Sequence, residues 1–82
     1  MAINAAQEEA LKQITYNSGI GISEDDYKAG TYTMRIWSDT IEADKLIALE
    51  LLKKCSISII NVGFEADSED SEYGFVWLKL EV

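Results

Sequence analysis

Histidine and proline are absent from the 82 residues, cysteine occurs once, and seven lysines and arginines face 15 acids. Without histidine the usual general base, proton shuttle and zinc ligand are missing. A lone Cys55 supplies neither a thiolate cluster nor an internal disulfide, so most familiar active sites are excluded. Apolar runs are short as well. No stretch approaches the roughly 20 residues that span a bilayer, and Glu8 and Glu9 stand where a leader would be basic and apolar. The expectation is a cytoplasmic protein without a membrane partner.

The shortage of bases also bears on partners. A formal charge of −8 disfavours direct binding to DNA, RNA or anionic lipid, because those interactions depend on lysine and arginine neutralising phosphate. A basic protein surface is the better match, although high negative charge also serves solubility alone. Phosphate loops are excluded too. Gly19, Ile20 and Gly21 lack a third glycine, a clear preceding strand and the lysine and hydroxyl of a Walker loop, and read as a turn. Paired carboxylates could do acid and base work only if one were held in a dry cleft, for which so short a chain has little material. Neither catalysis nor a cofactor is expected.

What the chain does contain is 48% hydrophobic residues, enough for one modest core and hence a single acidic domain over residues 1–82. Asn4 to Ile14 reads as a first helix, with Asn4 as N-cap, Gln7 three residues on, and Leu11 and Ile14 facing inward. Residues 19–30 hold three of the five glycines and the acids Glu24, Asp25 and Asp26. They suit a loop, with one helical turn capped by Ser23 and closed by Gly30.

Thr31 to Trp37 alternates as a strand, with Tyr32, Met34 and Ile36 on one face. Ser38 or Asp39 then caps the strongest helix, Ile41 to Cys55, with acids early and lysines late as the helix dipole prefers. Its apolar set is broader than one stripe, which suggests packing on the first helix as well as on the sheet. Cys55, where this helix hands over to a strand, reads as a small apolar filler. Strands over residues 56–62 and 73–82 complete a hairpin.

The expected fold is therefore α+β in the order α-β-α-β-β. It has a three-stranded mixed sheet with the C-terminal strand central, a right-handed crossover, and one or two helices packed on it.

Two features bear on function. Glu65, Asp67, Glu69, Asp70 and Glu72 place five carboxylates in eight residues. Extended at about 3.3 Å per residue, they give about one charge per 5 Å, within a factor of two of a nucleic-acid strand. The segment offers oxygen ligands for calcium, but it lacks the EF-hand alternation and glycine and reads as a solvated hairpin loop. Tyr73, Phe75 and Trp77 share one face of the last strand, and Trp37 with Arg35 lies on the corresponding face of the first. Either the first helix covers this aromatic face or it is an exposed binding patch.

The leading expectation is a non-catalytic protein-binding module: an acidic inhibitor, nucleic-acid mimic in character, of a nucleic-acid-binding enzyme or complex. Phage or mobile-element anti-defence genes are one source of such small acidic proteins. The alternative is a homo-oligomeric assembly subunit, a homodimer in the simplest case, that buries the aromatic face.

Overall fold

The first helix begins with a reciprocal cap. In the computed structural model, which describes residues 2–17, 19–66 and 74–82, α1 spans Ala5–Thr15. Asn4 Oδ1 accepts from the Gln7 N–H at 2.8 Å, and Gln7 Oε1 accepts from the Asn4 N–H at 3.1 Å. Two donors that a helix start leaves unpaired are thereby satisfied. The Gln7 amide also donates to the carbonyl of Cys55 at 3.2 Å, so the start of α1 is tied to the end of the second helix. Ala10, Leu11 and Ile14 form its buried face.

The acidic stretch after α1 is a strand and not a loop. Ile20–Asp26 forms β1, which pairs antiparallel with β2, Thr31–Trp37. Aspartate and glycine are poor strand formers, and neither a loop nor a helical turn capped by Ser23 is what residues 19–26 adopt. Burial overrides propensity here, because Ile20 lies in the core and Ile22 packs against it. The hairpin turns through residues 27–30, where Asp26 Oδ1 accepts from the N–H groups of Lys28 and Ala29 at 2.9 and 3.2 Å. Gly30 closes the turn at φ 70°, a left-handed conformation that costs glycine little.

α2 spans Glu42–Lys54, and its N-cap is Ile41 without a side-chain hydrogen bond, so neither Ser38 nor Asp39 caps it. Its C-terminus closes in a Schellman motif. The Ile57 N–H donates to Leu52 O at 2.9 Å and the Ser56 N–H to Lys53 O at 3.2 Å, with Ser56 at φ 59°. Leu52 and Ile57, the apolar pair of that motif, are both buried.

β3, Ser58–Ala66, and β4, Gly74–Glu81, form the second hairpin. The sheet has four strands in the order β1-β2-β4-β3, every neighbouring pair antiparallel, which corrects the expected three-stranded mixed sheet. β4 lies between β2 and β3. The element order is α-β-β repeated, a small α+β domain whose halves pair strands along β2 and β4 and also meet where α1 packs against α2. Tyr32, Met34, Ile36, Leu78 and Leu80 of that seam are buried with Leu11, Ile14, Ala48 and Leu52 of the helices, so both helices occupy one face. Among the described residues no helix is long and apolar enough to cross a membrane.

The helix end carries a testable cost. A residue with a Cβ in the left-handed region loses about 1–2 kcal/mol relative to its preferred conformation. Ser56→Gly should therefore raise stability by about 0.5–1 kcal/mol after glycine's larger unfolded-state entropy is counted. That is a rise of about 3–6 °C in Tm for a domain of this size, read by thermal melts.

Candidate protein-binding surface

The open face of the sheet carries the aromatic residues. Alternation that sends Tyr32, Met34, Ile36, Leu78 and Leu80 toward the helices sends Arg35, Trp37, Phe75, Trp77 and Lys79 the other way. The first helix does not cover them, which corrects one of the two expected arrangements. Trp37, 44% exposed, meets Phe75 edge to face with ring centroids 4.7 Å apart and planes at 67°. The Arg35 guanidinium stands 5.8 Å from the Phe75 centroid, and its Nη1 donates to the Ser23 hydroxyl at 3.2 Å. Trp77 lies across Gly63 of β3, so closely that a Cβ there would collide with the indole. The aromatic residues on β2 and β4 are thus held in fixed positions on a surface no helix protects.

Beside them, three strands share one polar network. The Thr33 hydroxyl donates to Asp25 Oδ2 at 2.6 Å, and Lys79 Nζ donates both to that oxygen at 3.1 Å and to Thr33 Oγ1 at 2.6 Å. The Thr33 hydroxyl, with Lys79 and Arg35 adding their charge, holds the Asp25 carboxyl below the usual carboxylate range despite some desolvation. Asp25, a candidate for partner binding, is therefore already engaged within the sheet.

Among the described residues the other candidate acids do not assemble into one cluster. Asp26 pairs with Thr31 and Thr31 with Glu81, at one end of the sheet; Glu65 pairs with Phe75 at the other, on the opposite edge strand. Eight residues of β4 at about 3.4 Å each and four strands about 4.8 Å apart set these corners roughly 25–30 Å apart. Glu24 lines a groove between α1 and β1 together with Glu8, Tyr27 and Tyr32. Burial, helped by Glu24, Tyr27 and Glu8, pushes the Tyr32 phenol up. Asp67, Glu69, Asp70, Glu72 and Tyr73 lie outside the described residues. Among the described residues no three acidic or cysteine side chains come together as a metal site would require. Cys55 is a free, half-buried thiol packed against the core.

A second surface lies on the helix side. Leu46 and Leu49 of α2 face Phe64 of β3 and Val76 of β4 across an apolar groove of about 400 Å³. The breadth of the α2 apolar set suggests packing on the first helix as well as on the sheet. In the structure α2 fully buries only Ala48 and Leu52, while Leu46 is 59%, Val62 59% and Phe64 64% exposed. The unusually broad apolar set of α2 was the available signal. Periodicity shows that a helix has surplus apolar positions but not which neighbour fails to cover them.

No family model matches the chain, and no match was found among curated proteins or solved structures.

Gly63→Ala should displace the Trp77 ring, shifting its fluorescence to the red and lowering stability by about 1–3 kcal/mol, as overpacking does. Retention of the wild-type spectrum would show that the indole does not rest on that glycine. A second outcome concerns acid. The stability that Asp25 lends is fully present above the unfolded pKa, about 3.9, and is lost as pH falls through the lower folded value. Asp25→Asn should therefore flatten the acid limb of a Tm against pH profile below about pH 4. An unchanged limb would uncouple the network from folding.

Proposed function

We propose that this chain is a non-catalytic protein-binding module, a small acidic inhibitor that seats the open aromatic face of its sheet on a basic protein surface of the kind that otherwise holds nucleic acid. The observation that carries this reading is the uncovered face itself, with Trp37, Phe75 and Trp77 at one end of the two inner strands. Carboxylates stand at its corners, Glu65 at the aromatic end and Asp26 and Glu81 at the other. Such a layout suits a partner rich in arginine. Guanidinium groups stack on aromatic faces, and carboxylates at the margin set encounter rate and orientation.

The internal contact of Arg35 with Phe75 supports this reading, since it sets a guanidinium beside an aromatic ring of the face. An arginine arriving from outside would find Trp77 and the exposed part of Trp37. Surface carboxylates are screened by salt, whereas stacked aromatic contacts persist, so the two contributions separate experimentally.

Titration calorimetry with an arginine-rich and a lysine-rich peptide of equal charge tests the proposal. Binding should weaken steeply with salt, favour arginine, and fall about tenfold or more, about 1.4 kcal/mol, in Trp77→Ala. The absence of salt-dependent binding to either peptide would remove the basic partner. Affinity that ignores both Trp37→Ala and Trp77→Ala would remove the aromatic face from the site.

A further inference from the structure

α1 packs beside β1, and a groove of about 540 Å³ runs between them. Its size is within the roughly 300–1,000 Å³ of small-molecule sites. Glu8, Leu11, Lys12 and Thr15, three or four residues apart on the helix, form one wall. Ile22 and Glu24 form the other, because residues two apart in a strand share a face. Glu24 pairs with Tyr32 of β2, which sets their Cβ atoms about 5 Å apart. The groove is therefore apolar along Leu11 and Ile22, and acidic and aromatic where Glu8, Glu24, Tyr27 and Tyr32 line it.

One polar group there lacks a partner. Tyr32 is only 7% exposed, yet its hydroxyl makes no hydrogen bond among the described residues. No described side-chain oxygen or nitrogen is both sealed from solvent and unpaired, so this hydroxyl opens into the groove that its ring lines. A hydroxyl so placed gains from a ligand the hydrogen bond that the protein does not give it. Burial first, and then Glu24, Tyr27 and Glu8, push the phenol up, so the hydroxyl keeps its proton at neutral pH. The field that resists a further negative charge here favours a positive one. Lys12 offers its charge to Glu8 at 3.8 Å, but that pair is largely exposed and therefore weak, and no base among the described residues pairs with Glu24.

We propose that this groove binds an organic cation, an aliphatic chain ending in a guanidinium group, as in an arginine side chain or a free alkylguanidine. The chain lies along Leu11 and Ile22. The guanidinium donates to the Glu24 carboxylate and the Tyr32 hydroxyl, and the exposed Tyr27 ring offers it an aromatic face. A guanidinium fits better than an ammonium, because its planar fork serves two acceptors at once and sheds water more readily. The groove is on the helix side of the sheet, opposite Trp37, Phe75 and Trp77, so the site stands independently of the aromatic face.

Butylguanidinium, acetylarginine amide and the neutral butylurea, titrated into the isotope-labelled full chain and followed by its amide resonances, test the proposal. Both cations should shift signals of the groove residues and saturate with a Kd of about 1 mM or below, the range open to so small a ligand. Butylurea should bind about tenfold more weakly or not at all, and salt should weaken both cations. Glu24→Gln, at an exposed position, should reduce affinity about tenfold, and Tyr32→Phe about threefold or more. Because the Tyr32 hydroxyl has no partner in the free protein, Tyr32→Phe should not lower Tm. Trp77→Ala should leave binding as it was. Tighter binding of acetylarginine amide assigns the natural ligand to a protein side chain, and tighter binding of butylguanidinium assigns it to a free small cation. Absence of saturable shifts with both cations overturns the proposal, as does equal binding of butylurea. Affinity that survives both Glu24→Gln and Tyr32→Phe, or that disappears in Trp77→Ala, places the cation elsewhere and overturns it too. Failure here leaves the reading of the aromatic face standing, since that reading turns on Trp37 and Trp77.

Discussion

The β2 and β4 ladder is the contact on which the rest of the molecule depends, because the two α-β-β halves share no other strand pairing. Each half is a helix and a two-stranded ribbon, and an isolated hairpin is marginal in water. Joining them at Met34 and Leu78 places both ribbons under a common helical layer. Met34, Leu52 and Leu80 are the largest fully buried side chains, and two of the three lie on this seam. The pairing also makes the open face. Once the helix-side residues of β2 and β4 are committed to the core, alternation sends Arg35, Trp37, Phe75 and Trp77 outward together.

The same joint explains why the flank of β3 is bare. Two helices serve four strands, and the hydrogen bond from Gln7 to the Cys55 carbonyl holds α2 against α1. α2 drawn toward α1 stands over the inner strands and away from β3. The halves are alike in order but not in cover, and the apolar surplus of α2 and β3 is the consequence.

Much of this was legible from residue order. Alternation in residues 31–37 and 73–82 announced the two inner strands, and Asn4 with Gln7 announced the cap of α1. β1 was hidden because its residues favour turns, and only burial of Ile20 and Ile22 under α1 makes the stretch extended. The hairpin turn was readable in hindsight, since Asp26 followed four residues later by Gly30 is a usual turn pattern. The start of α2 was misread for a related reason. Capping residues at 38 and 39 were present, but the chain spends Ser38 to Thr40 on a turn, where Thr40 Oγ1 donates to Gly19 O at 2.8 Å. On the candidate surface, the aromatic grouping was visible in the alternation, whereas its exposure depended on which face the helices chose. The separation of the acids followed from β1, which the sequence concealed.

That separation changes what the negative charge can do. Among the described residues, Glu24 and Asp26 stand at the corner opposite Glu65, and Asp25 is paired with Lys79, so these carboxylates form no single row that could imitate a phosphate backbone. Charges spread in this way act on a partner mainly through the long-range field, which raises encounter rate and falls with salt. Contacts of longer duration require desolvated surface, which among the described residues is offered by the apolar and aromatic side chains of the two uncovered surfaces. The charge has a further effect on the molecule itself. A small domain that leaves Phe64, Val62 and Leu46 open would be prone to indiscriminate association, and a net −8 opposes the approach of like copies. Acidity therefore offsets the apolar exposure of the α2 and β3 flank by keeping like copies apart in solution.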